Sequence, residues 1–339
     1  MDPPPVQYVT SSDGFRIAYC VSGEGRPLLF ISPDFMDIQQ VWHHHPDWMA
    51  GLAARFRLIQ YDPRGTGLST RGLPESLTLE DYVRDLETEV ERLSVQPFLI
   101  WSLGGMGLTA IRYATLHAER VAALILVGPG VSGQAWGPVL YRMLPNEDWE
   151  RFLRSMIPAG LTMEDTRAHL HDSLQTTTLN DWNAHMRCIV NSNVESDLQR
   201  LPMPALVMRA RYSMALPAEE SMKVAALIPN SRFAVLDAEF TLEAAVQGLE
   251  AIDNFVRVLP SLPEHDDFAR SGQDSLGSLS LREIEVLRLV ALGRSNRQIA
   301  DELVITLSTV TKHIGSILGK TASANRTEAA VYARDRGIG

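Results

Sequence analysis

Short apolar runs punctuate the first 259 residues. Pro27–Ser32 (PLLFIS), Phe56–Tyr61 (FRLIQY), Pro97–Trp101 (PFLIW), Val121–Val127 (VAALILV), Ala205–Met208 (ALVM) and Arg232–Leu236 (RFAVL) each predict a strand. Between them, Leu79–Leu93 and Met106–His117 repeat their apolar positions at helical spacing. Buried strands alternating with helices imply an α/β fold, a mostly parallel sheet covered on both faces. Ligands of such sheets bind at the carboxyl ends of the strands.

The pattern changes twice. From about 131 to 200 it turns helical and rich in Trp and Met, which predicts a cap over the strand ends and an apolar pocket beneath it. Residues 260–278 (PSLPEHDDFARSGQDSLGS) are polar and rich in Pro, Gly, Ser and Asp, and read as a flexible linker. Beyond 279, helix starts follow in quick succession. Ser280 with Glu283 and Ser295 with Gln298 have capping-box spacing, and Thr306 or Ser308 can cap a third helix. Val310, Ile314, Ile317 and Leu318 then form one apolar stripe. Ser308, Thr311, Lys312, Gly315 and Ser316 point outward, a small, polar, lightly basic face of the kind that enters a major groove.

Charge supports the same division. Residues 279–339 carry nine Lys and Arg against six Asp and Glu, which leaves residues 1–278 at −13 in a chain of net −10. An acidic body is repelled by nucleic acid, so contact is expected through the basic tail. Only Cys20 and Cys188 occur, which points to a reducing compartment and away from a disulfide framework. With no apolar run of membrane length, a cytoplasmic protein without cofactor or metal is expected. Consecutive His43, His44 and His45 diverge in direction and read as a surface helix start rather than a metal site.

The tail resembles the LuxR-type (GerE-like) helix-turn-helix of bacterial transcription regulators. The likeness rests on LSLREIEVLRLVALG, SNRQIADEL, TVTKH followed by I-L-G-K, and NRTEAAVYA. It departs from the family at Thr311, where a lysine is usual, and at Thr321, where leucine is usual. The resemblance implies binding to double-stranded DNA, self-association through the last helix (Arg326–Arg334), a homodimer, and contact with RNA polymerase. Lys312 and Thr311 are expected at base edges, and Thr309 and Lys320 at phosphates.

The body resembles the α/β-hydrolases over residues 6–259. SSDGFRIAYCVSGEGRPLLFIS is similar to their first hairpin and strand, YDPRGTGLS to their DxRGxGxS loop, and Leu99–Gly105 (LIWSLGG) to the nucleophile elbow, with Ser102 lifted on the turn. A serine attacks only when a histidine takes its proton and a carboxylate orients that histidine. In the hydrolase order both follow the serine. No Asp or Glu lies between Asp197 and Glu219, and no His lies between His185 and His265. Ile100 also replaces the first small residue of the elbow, and Ser32-Pro33-Asp34-Phe35 stands where His-Gly is usual. The expected function is therefore a ligand-responsive regulator with a catalytically degenerate body. Its effector would sit near Ser102, between the N–H groups of Phe35 and Leu103, with Asp34, Trp101, Tyr212, Glu239 and Phe240 around it. The alternative is a slow esterase or lactonase that draws a histidine such as His185 from the cap.

Overall fold

The computed structural model describes residues 3–33, 36–93, 97–136, 149–156, 162–212, 217–238, 241–259, 281–303, 306–321, 323 and 325–335. The chain divides into two compact units, Met1–Leu262 and Pro263–Gly339.

The first unit is built on one eight-stranded sheet in the order β1-β2-β4-β3-β5-β6-β7-β8. Its strands are β1 (Gln7–Thr10), β2 (Arg16–Ser22), β3 (Pro27–Ile31), β4 (Arg57–Asp62), β5 (Phe98–Leu103), β6 (Val121–Val127), β7 (Ala205–Ala210) and β8 (Ser231–Leu236). The first two pair antiparallel and β2 pairs antiparallel with β4; β3 through β8 run parallel. The six apolar runs thus form the parallel part, as their burial on both faces requires. On one face lie α3 (Leu79–Leu93) and α4 (Met106–Leu116), with Phe98 and Ile100 of β5 in their core. The other face carries α1 (Ile38–His44), α2 (Pro46–Ala53), α10 (Thr241–Gln247) and α11 (Leu249–Val256), packed on Leu99, Trp101 and Leu103.

The cap is one insertion between β6 and β7. Its described helices are α5 (Trp149–Met156), α6 (Met163–Thr176), α7 (Leu179–Asn191) and α8 (Glu195–Leu198); α9 (Ala218–Leu227) then follows β7. Leu153, Leu170, Trp182, Met186 and Ile189 of the cap share one apolar core with β5, α3 and α4. The two ends of the insertion meet in a narrow neck. Gly133 N–H donates to the Ser192 carbonyl (2.9 Å), Val194 N–H donates to the Val131 carbonyl (3.0 Å), and Ser132 bridges Asn193. Only glycine fits this neck, because a Cβ on Gly133 would sit 1.6 Å from the Ile189 carbonyl oxygen.

The second unit holds α12 (Leu281–Ala291), α13 (Asn296–Leu303), α14 (Leu307–Lys320) and α15 (Arg326–Asp335). Val286, Leu287, Val290, Ile299, Val310, Ile317, Ala329 and Ala333 make its own core. Gly293, at φ +76°, reverses the chain after α12. The segment read as a linker, 260–278, lies outside the described residues.

Candidate functional site

The strand-end site begins with β5. Ser102 is still in register with Leu126 of β6 and Leu103 with Val127, so the sheet continues through the serine and one residue beyond it. The turn follows at Gly104 and Gly105, with the left-handed conformation at Gly104 (φ +55°) and its N–H donated to the Val127 carbonyl (2.9 Å). This corrects the expected serine on the turn: pairing with β6 keeps Ser102 in the strand, and glycine takes the reversal. Ser102 has 0% exposure and is closed to solvent. Its Oγ has no hydrogen-bond partner among the described residues. A Cβ on Gly107 would stand 3.8 Å from that oxygen, which places the hydroxyl against the first turn of α4.

Alternation along a strand decides which expected neighbours meet. Trp101 lies on the opposite face of the sheet from Ser102. Its ring packs against Phe30 and Trp48, with centroids 5.5 and 5.4 Å apart, and it is fully buried. Trp101 is therefore core and does not share a wall with Ser102, because period two sends adjacent residues apart. The Leu103 side chain falls in the same core as Trp101. Tyr212 is 60% exposed on the loop after β7, held by a hydrogen bond from its N–H to the Ala238 carbonyl (3.1 Å). It belongs to an open rim rather than a closed pocket. Asp34, Phe35, Glu239 and Phe240 lie outside the described residues. His185, the cap histidine of the alternative reading, pairs through Nδ1 with the Tyr82 hydroxyl (2.7 Å) and stacks near Trp182.

The loops around the strand ends are fixed by buried carboxylates. Asp62 accepts from the Ile38 N–H (3.0 Å) with Oδ1 and from the Leu68 N–H (3.1 Å) with Oδ2. Burial, with Asp37 close by, pushes its carboxyl up to about 8. Arg64 is buried between Asp85 (2.7 Å) and Asp13 (2.7 Å), and the Asp85 carboxyl is raised to about 6 by burial, against the pull of Arg64. These groups hold the 62–69 loop in place.

The cap stands on that loop. Gly67 N–H donates to the Thr176 carbonyl (2.6 Å), the Thr177 hydroxyl donates to the Gly65 carbonyl (3.0 Å), and Asp181 Oδ1 accepts from the Gly72 and Leu73 N–H groups (2.9 and 2.6 Å). From α1, Gln40 reaches the Asp172 carbonyl (2.8 Å) and the Thr176 hydroxyl (2.8 Å). His44 Nε2 meets Asp172 Oδ2 at 2.9 Å. The histidine run was expected on the surface; His44 is only 11% exposed because α6 covers it. No motif marks this seam in the sequence, since its partners are more than a hundred residues apart. Among the described residues no group of side chains could hold a metal ion.

In the second unit two of the three expected helix starts are realised; the third, Ser280 with Glu283, begins outside the described residues. Ser295 N–H bonds Gln298 Oε1 (2.8 Å) and Gln298 N–H bonds Ser295 Oγ (3.3 Å), the capping box that starts α13. Thr306 caps α14 by accepting from the Thr309 N–H (3.2 Å), and the two hydroxyls lie 2.8 Å apart. Val310 and Ile317 are buried while Thr311, Lys312 and Gly315 are exposed, so α14 presents the expected polar face. The Thr311 hydroxyl donates to the Leu307 carbonyl (3.0 Å), which leaves its oxygen lone pairs and methyl group for a partner. Thr321 closes the helix, its hydroxyl donating to the Ile317 carbonyl (2.8 Å). The side chains of Ser308 and Lys320 lie outside the described set. Arg297, exposed in the first turn of α13, is a further cation of this face that sequence reasoning passed over.

Comparison with known proteins places both units. Residues 277–333 match the luxR family of bacterial regulatory proteins, and residues 35–184 match the alpha/beta hydrolase fold. The transcriptional regulatory protein LiaR of Bacillus subtilis is 49% identical over 65 residues, 19% of this chain and 31% of LiaR. The chain thus spans about a third of the length of that regulator. The putative carbamate hydrolase RutD of Pseudomonas savastanoi is 24% identical over 227 residues, covering 62% of this chain and 85% of RutD. Among solved structures, an enol-lactonase from Burkholderia xenovorans (TM-score 0.59, 21% identity, 74% of this chain and 97% of that one) shares the fold of the body. So does Est816, described as an N-acyl homoserine lactone degrading enzyme (TM-score 0.60, 18% identity, 75% of this chain and 100% of that one). The body has the α/β-hydrolase fold and the tail is a LuxR-type helix-turn-helix. No helix among the described residues is long and apolar enough to cross a membrane.

Proposed function

We propose that this chain, a LuxR-type helix-turn-helix joined to an α/β-hydrolase-fold body, is a transcription regulator whose body binds a small effector instead of hydrolysing it. One observation supports this reading: the Ser102 hydroxyl is closed to solvent and, among the described residues, makes no hydrogen bond to a base. A serine in that state cannot attack a carbonyl. The capped, aromatic-rich strand ends still suit a small, largely apolar molecule with one or two polar groups. Because Ser102 is covered, an effector that touches it must move the groups packed around it, and the cap is the part of the body that stands over the strand ends. Binding is then coupled to the position of the cap, and through it to the population of the DNA-competent state. Two copies of the chain on duplex DNA, with RNA polymerase as a further partner, complete the proposal, since one short helix reads too few base pairs for useful specificity.

The test has two arms. Small lactones, esters, aromatic acids and amines are screened for a rise in thermal stability; a true ligand at a hundredfold excess over its dissociation constant adds about 2.7 kcal/mol. The same ligands must change DNA affinity by the factor by which DNA changes theirs. If no compound shifts the melt, the body is a scaffold and the sensor reading fails. Lys312→Ala should cost about 1–3 kcal/mol on the cognate site and less on random DNA if that lysine reads a base. The lactonase and esterase neighbours favour a second reading, a slow hydrolase that degrades its own signal. Rapid turnover of a chromogenic ester, abolished by Ser102→Ala, would establish it and overturn the first.

A further inference from the structure

The end of the body from which the chain leaves for the tail is unusually basic for so acidic a unit. Four arginines gather around α11, the last described helix of the body, and a fifth, Arg57, is joined to one of them through the backbone. Arg26 Nη1 donates to the Val256 carbonyl (3.5 Å), and Arg57, beside it in the sheet, donates its N–H to the Arg26 carbonyl (3.1 Å). Arg55 pairs with Asp253 (2.9 Å). Arg232, exposed on β8, lies over the Phe255 ring (5.9 Å), and Arg257, also exposed, follows the helix directly. The carboxylates on the same elements are Asp253, already paired, Glu250 on α11 and Asp62 at the far end of β4, with Glu24 before β3. Residues 1–278 carry −13, so a cluster of arginines stands out against the charge of the rest of the body.

Structural needs account for only part of this patch. A cation near a helix C-terminus neutralises the dipole and satisfies free carbonyls, and Arg26 does so at Val256. Arg55 is held by its carboxylate. Arg232 and Arg257 have no carboxylate within ion-pair distance among the described residues, and both are exposed. Guanidinium groups displayed in this way match phosphate oxygens, which they can bond in bidentate fashion.

We propose that the arginine-ringed end of α11 is a second, sequence-independent DNA contact, taking the phosphate backbone of the duplex beside the bases read by the tail. The inference rests on the tail's binding to duplex DNA and adds a surface to it. Polyanion in general would satisfy the chemistry; the duplex is favoured because the chain leaves the body here and continues covalently into a DNA-binding unit. A tether raises the effective concentration of a weak contact without requiring any new specificity.

The experiment measures binding of the full chain to a random-sequence duplex of about three helical turns across a salt series. Wild type is compared with R232Q/R257Q, with the lysine-restored R232K/R257K, and with Lys312→Ala. Neutralising two phosphate contacts should lower the slope of log K against log salt by about 1.8, since each contact contributes about 0.9. R232K/R257K should regain most of the slope, and unchanged melting curves would exclude misfolding as the cause. If R232Q/R257Q binds with the wild-type slope while Lys312→Ala weakens binding, the second contact does not exist and the tail reading stands. If wild type binds no duplex even at low salt, both fall.

Discussion

Ser102 and Glu89 both place a polar group in the interior without a hydrogen-bond partner among the described residues, and each makes a measurable prediction. A buried hydroxyl that makes no hydrogen bond costs about 1–3 kcal/mol of desolvation. Ser102→Ala should therefore leave the melting temperature unchanged or raise it; a clear fall would mean the hydroxyl has a bonded partner. Glu89, on α3, is fully buried with both carboxylate oxygens unpartnered. Burial, reinforced by Asp85, raises its carboxyl well above the ordinary 4.5. A pKa raised on folding gives stability that is complete below the ordinary value and is lost as pH climbs through the raised one. Glu89→Gln removes that titration, so the variant's melting temperature should fall less than that of wild type as pH increases above the ordinary 4.5 toward the raised value. Parallel profiles in a thermal-melt series against pH would show that Glu89 does not titrate there.

The elements were largely legible because they are local. All six apolar runs became strands of the parallel sheet, and the capping signals at Ser295 and Thr306 became helix starts. β1 and β2 came from the hydrolase likeness alone, since β1 has an exposed residue pattern with no apolar run to announce it. What the pattern hid was where β5 ends and what stands on the 62–73 loop. The strand continues to Leu103 because β6 offers it partners, a long-range fact. The cap's foot joins residues 172–181 to residues 40–73 through bonds that each set one side chain against a backbone carbonyl or N–H, and that backbone half carries no sequence signature. Asp181 is the firmest of these joints, 2% exposed and serving two N–H groups. Asp181→Ala orphans both donors and should cost roughly 2–6 kcal/mol, at about 1–3 for each buried group left unmade. Urea denaturation would measure it, and a loss under about 0.5 kcal/mol, the level of ordinary surface changes, would show that water replaces the carboxylate.

At the scale of the whole molecule, the two units have separate apolar cores, one pair flanking the sheet and another inside the four-helix tail. Each core can melt on its own, so calorimetry should resolve two transitions, and a body ligand should move only one of them. A single transition that shifts as a whole would require the units to unfold together.

The neck at Gly133 and Ser192 has a further consequence, for engineering. Because the two ends of the insertion are clipped side by side to each other, everything between them is a cassette with one covalent entrance and exit, resting on the 62–73 loop and α1 as its second support. A foreign cap spliced between residues 133 and 192 would meet an unchanged neck, provided it supplies a carboxylate where Asp181 serves the loop and an apolar underside for Ile100 and Met106. Effector preference could then be rewritten in the graft while the DNA address stays in the tail, making the chain a chassis for built-to-order transcriptional reporters.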